Sequence, residues 1–311
     1  MNKHKLTRFI AKYHLGGNVN AVVINSKDDT LSTRFITGDK ALLGELSMTN
    51  WSFQDAELGV YDTEQFSKLL GVLDDDVTLN LTQAGDKAIA LEVSDKHSKV
   101  NFMLSDKSVI NQPPPLKKLP EFQLKIKVDT NFIVRFISAK AALPDTDTFT
   151  VITENDEAKL VIGYSSINTN RVTLPVETEV YEDIDKVSFN ANLFKDVLTA
   201  NKECESATLE VSSDGLSRIN FKVDDYDVTY YLVAVADASW YFLIISNFPN
   251  DFFPNELFID MGRKKLNRTP DEIREQNRIR QRRYYAKHRE EIISKKMEKY
   301  YEGKKDTTTR A

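Results

Sequence analysis

The chain has 311 residues, 41% hydrophobic and 29% charged, which is ordinary for a soluble globular protein and long enough for two domains with their own cores. No apolar run approaches the roughly 18 residues of a membrane span, the N-terminus lacks a signal peptide's apolar core, and the single cysteine, Cys204, excludes an intrachain disulfide. The expectation is a protein with no membrane partner, in a reducing compartment such as the cytosol.

The net charge of −5 hides an asymmetry. Residues 261–311 hold 17 Lys and Arg against 8 Asp and Glu, so the preceding 260 residues are strongly acidic. The two parts are therefore read separately.

In chain order, Leu6, Phe9, Ile10 and Tyr13 recur at helical spacing, with Lys5, Arg8 and Lys12 on the other side. Strand-like stretches follow at 21–24, 31–36, 41–46 and 58–61. Asp62 or Thr63 starts a second helix whose apolar face is Phe66, Leu69, Leu70 and Leu73. Residues 77–81, 88–93 and 100–104 alternate apolar and polar positions, as a meander of half-buried strands does. The proline-rich stretch 111–120 then reads as an extended linker.

Beyond the linker the same pattern returns. Arg135-Phe136-Ile137 repeats Arg8-Phe9-Ile10 after 127 residues, and 189–198 repeats 61–70 after 128. Thr208-Leu209 repeats Thr78-Leu79 after 130, and 228–232 repeats 100–104 after 128. Four runs in order point to one domain written twice, at 1–110 and 121–241. The fold class is α+β, each copy carrying two helices on one face of antiparallel sheets.

Support for catalysis is thin. His4, His14, His97 and His288 are scattered, no phosphate-binding or nucleophile motif is present, and Asp74-Asp75-Asp76 reads as a solvated turn rather than a magnesium site. Neither a metal nor a cofactor is expected. What stands out is cationic residues on helices inside an acidic body: Lys5, Arg8, Lys12, Lys68, Arg135 and Lys140, with Lys195 and Lys202 on or just after the fourth helix. Ordinary solvated helix faces would account for them. If the four helices share one side of the molecule, however, these cations form a surface that neutralises phosphates without reading bases.

Residues 56–104, and especially the run 58–77 with its hydrophobic-Tyr-Asp start, Phe-x-x-x-Leu helix and acidic turn, resemble the sliding clamps of T-even-type bacteriophages. The resemblance covers about residues 5–241. It implies the DNA-clamp fold and a homotrimeric ring around double-stranded DNA, with helices lining the hole. It further implies a clamp loader ATPase that opens the ring and a DNA polymerase tethered through a C-terminal peptide. In this group the ring also serves a host RNA polymerase with its late transcription factors. All of this would take place in the cytoplasm of an infected bacterial cell. The eight cations above are then the lumen residues. The resemblance also implies an apolar peptide pocket near the interdomain connector, assigned to Leu116 and Leu119 with Val233 or Val235; plain core or linker packing is the alternative for each.

Clamps of this kind end near Tyr241, and here the chain continues. Residues 242–268 read as an irregular linker and 269–311 as a basic helical tail that opens on Thr269-Pro270-Asp271-Glu272. Arg278, Arg280, Arg282 and Arg283 beside Tyr284 and Tyr285 mix guanidinium groups with aromatics, as nucleic-acid-binding segments do; a solvated charged helix is the other reading. Met261-Gly262-Arg263 resembles a natural start, so the tail is either a fused module or a neighbouring frame joined on. A non-ring DNA-binding or transcription accessory protein acting through this tail is the alternative to the clamp.

Overall fold

Four short helices begin on side-chain caps that recur in matched positions. Asn2 Oδ1 accepts from the amide of His4 at the start of α1 (Lys3–His14), and Asp129 Oδ1 accepts from Phe132 at the start of α3 (Thr130–Ala142). Asp62 and Asn190 cap α2 (Thr63–Leu70) and α4 (Ala191–Ala200) in the same way. Each cap satisfies an amide that the first helical turn leaves without a partner. The computed structural model describes residues 2–85, 87–113, 116, 118–165 and 170–235, all within one compact unit. The expected linker 242–268 and basic tail 269–311 lie outside the described residues.

After α1 the chain forms β1 (Val22–Lys27), β2 (Thr30–Ile36), β3 (Leu42–Met48) and β4 (Ala56–Val60); α2 then leads into β5 (Thr78–Ala84), β6 (Lys87–Ser94) and β7 (Lys99–Met103). The second half opens on β8 (Leu124–Asp129), runs through α3 to β9 (Thr148–Glu154), β10 (Glu157–Ile162) and β11 (Val172–Val176), and continues with β12 (Thr178–Val180) and β13 (Val187–Asn190). Beyond α4 come β14 (Ser206–Val211), β15 (Leu216–Val223) and β16 (Tyr226–Val233). The β1–β2 turn sets Asp28 and Asp29 at positive φ, and the β9–β10 turn does the same with Asn155 and Asp156, 127 residues later. Asn and Asp tolerate that conformation, which two-residue hairpin turns require.

The strands make a nine-stranded antiparallel sheet in the order β12-β8-β14-β15-β16-β3-β2-β1-β4, a four-stranded sheet β11-β10-β9-β13 and a three-stranded sheet β5-β6-β7. The large sheet draws on both halves of the chain, joined where β16 pairs with β3 in the register Val228↔Leu46 and Tyr230↔Gly44. Gly44 is required there, because a Cβ at that position would lie 2.1 Å from the Phe35 ring. Phe35 in turn meets Tyr230 edge-on at 5.9 Å, so the joint is packed as well as hydrogen-bonded.

The strand beginning at Leu124 has no full counterpart in the first half. There a single bridge between Asn2 and Asp76 stands where Asp129 pairs with Ser206. The cores repeat too. Phe9 and Phe66 are fully buried in one half, Phe136 and Phe194 at the matching places in the other, where Phe136, Phe149 and Phe194 lie ring to ring at 4.9–5.3 Å.

Candidate nucleic-acid interface

Helix α1 lies against α2 on one side and α4 on the other, and α4 lies against α3, so the four helices form one continuous row, α2-α1-α4-α3. They carry eight Lys and Arg against two acidic residues, Glu64 and Asp196. The cations therefore lie in one layer, but their individual settings differ.

Two of the expected surface cations are not presented to solvent at all. Lys12 is 1% exposed, and its Nζ donates to Glu203 Oε1 at 2.8 Å, Asn201 Oδ1 at 2.9 Å and the Ala200 carbonyl at 3.2 Å. Lys140 is 4% exposed and donates to the carbonyls of Leu143 and Pro144, closing the C-terminal end of α3 where carbonyls lack helical partners. The helical periodicity placed Lys12 on the outer stripe of α1, yet the end of α4 and the turn after it cover that stripe at Lys12. Neither ammonium can reach a phosphate.

Lys5 and Arg8 are half-exposed and tied to the other half of the chain. Lys5 pairs with Asp225 at 2.7 Å; Arg8 spans Asp224 at 3.0 Å and Glu203 at 3.2 Å and lies over the Tyr226 ring. Below them the Tyr226 hydroxyl donates to the Lys5 carbonyl and the Tyr230 hydroxyl to the Lys12 carbonyl, while Asn201 donates to Tyr230 Oη. Burial pulls the Lys12 pKa down against the ion pair with Glu203. At Glu203 burial acts upward, but the bonds from Lys12 and Arg8 outweigh it and hold the carboxyl below its usual range. Sequence reasoning missed Asn201, Glu203, Asp224, Asp225 and Tyr226. The only available signal was the Asp224-Asp225 pair in the turn between two clear strands.

The remaining cations expected from the sequence are at least half-exposed. Lys68 is exposed and bonded to Glu64 one turn earlier; Lys195 is half-exposed beside Asp196; Lys202 is exposed and forms no ion pair among the described residues. Arg135 is exposed as well, and its only bond among the described residues is from Nε to the Asn131 carbonyl of its own helix at 3.4 Å.

On the connector, Leu116 and Leu119 are half-buried, and Arg34 Nη1 donates to the Pro113 carbonyl at 3.1 Å, anchoring the connector on the large sheet. Val233 is half-buried and Val235 exposed; their amides donate to Ala41 and Ser188, extending β16 toward β13. Among the described residues no group of three or more His, Cys, Asp or Glu could hold a metal, and no helix is long and apolar enough to cross a membrane.

The overall arrangement matches known structures. The crystal structure of Proliferating Cellular Nuclear Antigen from Entamoeba histolytica covers 76% of this chain and 96% of its own with a TM-score of 0.60 at 16% identity. PCNA from Thermococcus kodakaraensis covers 75% and 97% with a TM-score of 0.59 at 17% identity. The chain has the clamp fold. In sequence it is 22% identical over 225 residues to the "Sliding clamp" of Escherichia phage RB69, spanning 71% of this chain and 92% of that one. The similarity to phage sliding clamps thus holds along nearly the whole of that relative. No family model matches the chain.

Proposed function

We propose that this protein is a sliding clamp: three copies close a ring around duplex DNA and hold a DNA polymerase to its template, with no chemistry of their own. The observation that carries the reading is the continuous helix row backed by a sheet that joins two copies of one domain. By the repeat, β7 corresponds to β16 and β11 to β3. Within the chain β16 pairs with β3, while among the described residues β7 pairs only with β6 and β11 only with β10. Pairing β7 of one copy with β11 of the next repeats the internal joint. With domains 1–110 and 121–241 in each chain, three such joints close a six-domain ring.

The ring's hold on DNA is topological, so its inner surface needs only weak, sequence-independent phosphate contacts. Lys68, Lys195 and Lys202, with the half-exposed Lys5 and Arg8, supply them; the carboxylates beside all of these but Lys202 keep the contacts weak. A clamp loader ATPase opens the ring, and Leu116, Leu119, Val233 and Val235 near the connector take the polymerase's peptide. A host RNA polymerase uses the same ring in late transcription. The setting is the cytoplasm of an infected bacterium.

The deciding experiment loads the protein on circular DNA and then cuts the circle. A clamp is retained on the circle and lost from the linear product. Equal binding to both, abolished by deleting residues 261–311, would instead assign the activity to the basic tail.

A further inference from the structure

Arg8 and Arg135 occupy the same place in the two copies of the domain, each opening an Arg-Phe-Ile run on the first helix of its copy. Arg8 bridges two acidic turns of the neighbouring domain: the turn after α4, through Glu203, and the β15–β16 turn, through Asp224. Arg135 has no such partner among the described residues and stands exposed.

The first half carries the equivalent two turns. The turn after α2 is Asp74-Asp75-Asp76, and the β6–β7 turn holds Asp95. The Asp74 amide donates to Asp95 Oδ2 at 2.6 Å, so these two turns are in contact with each other. Asp74 and Asp76 form no ion pair among the described residues, and the only ion pair of Asp75 there is with the exposed His4. An unpaired guanidinium and a cluster of carboxylates thus sit at places that the repeat brings together between copies.

We infer that Arg135 closes the joint between subunits, seated on the Asp74–Asp76 turn and Asp95 of the next copy, as Arg8 is seated on Glu203 and Asp224 within the chain. The inference rests on the ring reading above and gives Arg135 a protein partner rather than a phosphate. The occupant is a second copy because charge and position both match the internal joint.

The two joints differ in what lies beneath the arginine. Lys12, Asn201 and Tyr230 form the buried polar set of the internal joint, and their repeat counterparts are Ala139, Leu73 and Phe102, all buried apolar residues. Between copies the arginine therefore acts without the buried lysine that shares Glu203 with Arg8. Its contact is solvent-exposed and screened by salt.

The test is sedimentation of the full chain across a concentration series at low and high salt. Arg135→Glu places like charges across the joint and is expected to weaken trimer formation about ten-fold or more at low salt. The effect should shrink at high salt, with far-UV circular dichroism unchanged. Combining Arg135→Glu with Asp74→Lys and Asp75→Lys in one chain restores opposite charges at every joint and is expected to recover assembly. A trimer indifferent to Arg135→Glu, or a combined variant no better than Arg135→Glu alone, overturns the inference and leaves the ring intact. A wild-type chain that stays monomeric at every concentration overturns the ring reading itself.

Discussion

At Lys12 an ammonium group is held where only 1% of the residue meets solvent, by one carboxylate, one amide oxygen and one carbonyl. Removing one member of such a set costs more than the set contributes, because the partners stay behind unsatisfied. Glu203 retains some hydration, which lowers the cost. Lys12→Ala is expected to lower the unfolding free energy by about 2 kcal/mol in urea denaturation, with Lys202→Ala leaving the midpoint unchanged. The acid limb of stability follows from the carboxyls around this cluster. Glu203 is held below its ordinary 4.5 and Asp225 below 3.8, the latter by the bonds from Lys5 and Asn50. Both bind fewer protons folded than unfolded, so their contribution is present at neutral pH and is lost as pH falls through the folded-state values. Thermal melts should show the midpoint falling below about pH 4.5, less steeply in an Asp225→Asn variant.

Among the elements, the caps give a direct test of why the helices start where they do. Asp129→Ala removes the acceptor for the Phe132 amide and should cost about 1 kcal/mol, measured by chemical denaturation; Asp129→Asn should cost less. Of these caps only the one at Asp62 was read from the sequence, where Asp62 or Thr63 marked the helix start, whereas the strands of the first half were legible because alternation and turn residues are local signals. The repeat was legible for the same reason, since it compares one local pattern with another. What escaped was which helix covers which face. Lys12 shares its stripe with Lys5 and Arg8 by spacing alone, and only the approach of α4 from 180 residues downstream makes it interior. Lys140 escaped similarly: its side chain turns back onto the carbonyls at its own helix end, a local contact that spacing does not reveal. The short strand β8 was not read as an element, since the first copy offers only the Asn2–Asp76 bridge for comparison.

For the molecule as a whole, the helix row is cationic only in part, because Lys5, Arg8, Lys68 and Lys195 each lie beside a carboxylate. A surface of that kind binds duplex DNA weakly and with a shallow salt dependence. Lys68→Glu with Lys202→Glu should reduce the slope of log affinity against log salt by about 0.9 for each phosphate no longer neutralised, read by fluorescence anisotropy on a short duplex. Deleting residues 261–311 should leave retention on circular DNA unaltered if the helix row is the seat of the interaction. The ladder running unbroken from β12 to β4 has a mechanical consequence. Its hydrogen bonds cross from one half of the chain to the other as densely as they run within either half, and Arg8, Lys12 and Tyr230 rivet the layer beneath. The described part of the chain is consequently stiff across the joint between its halves, and strain applied to it is taken up at the ends of the ladder.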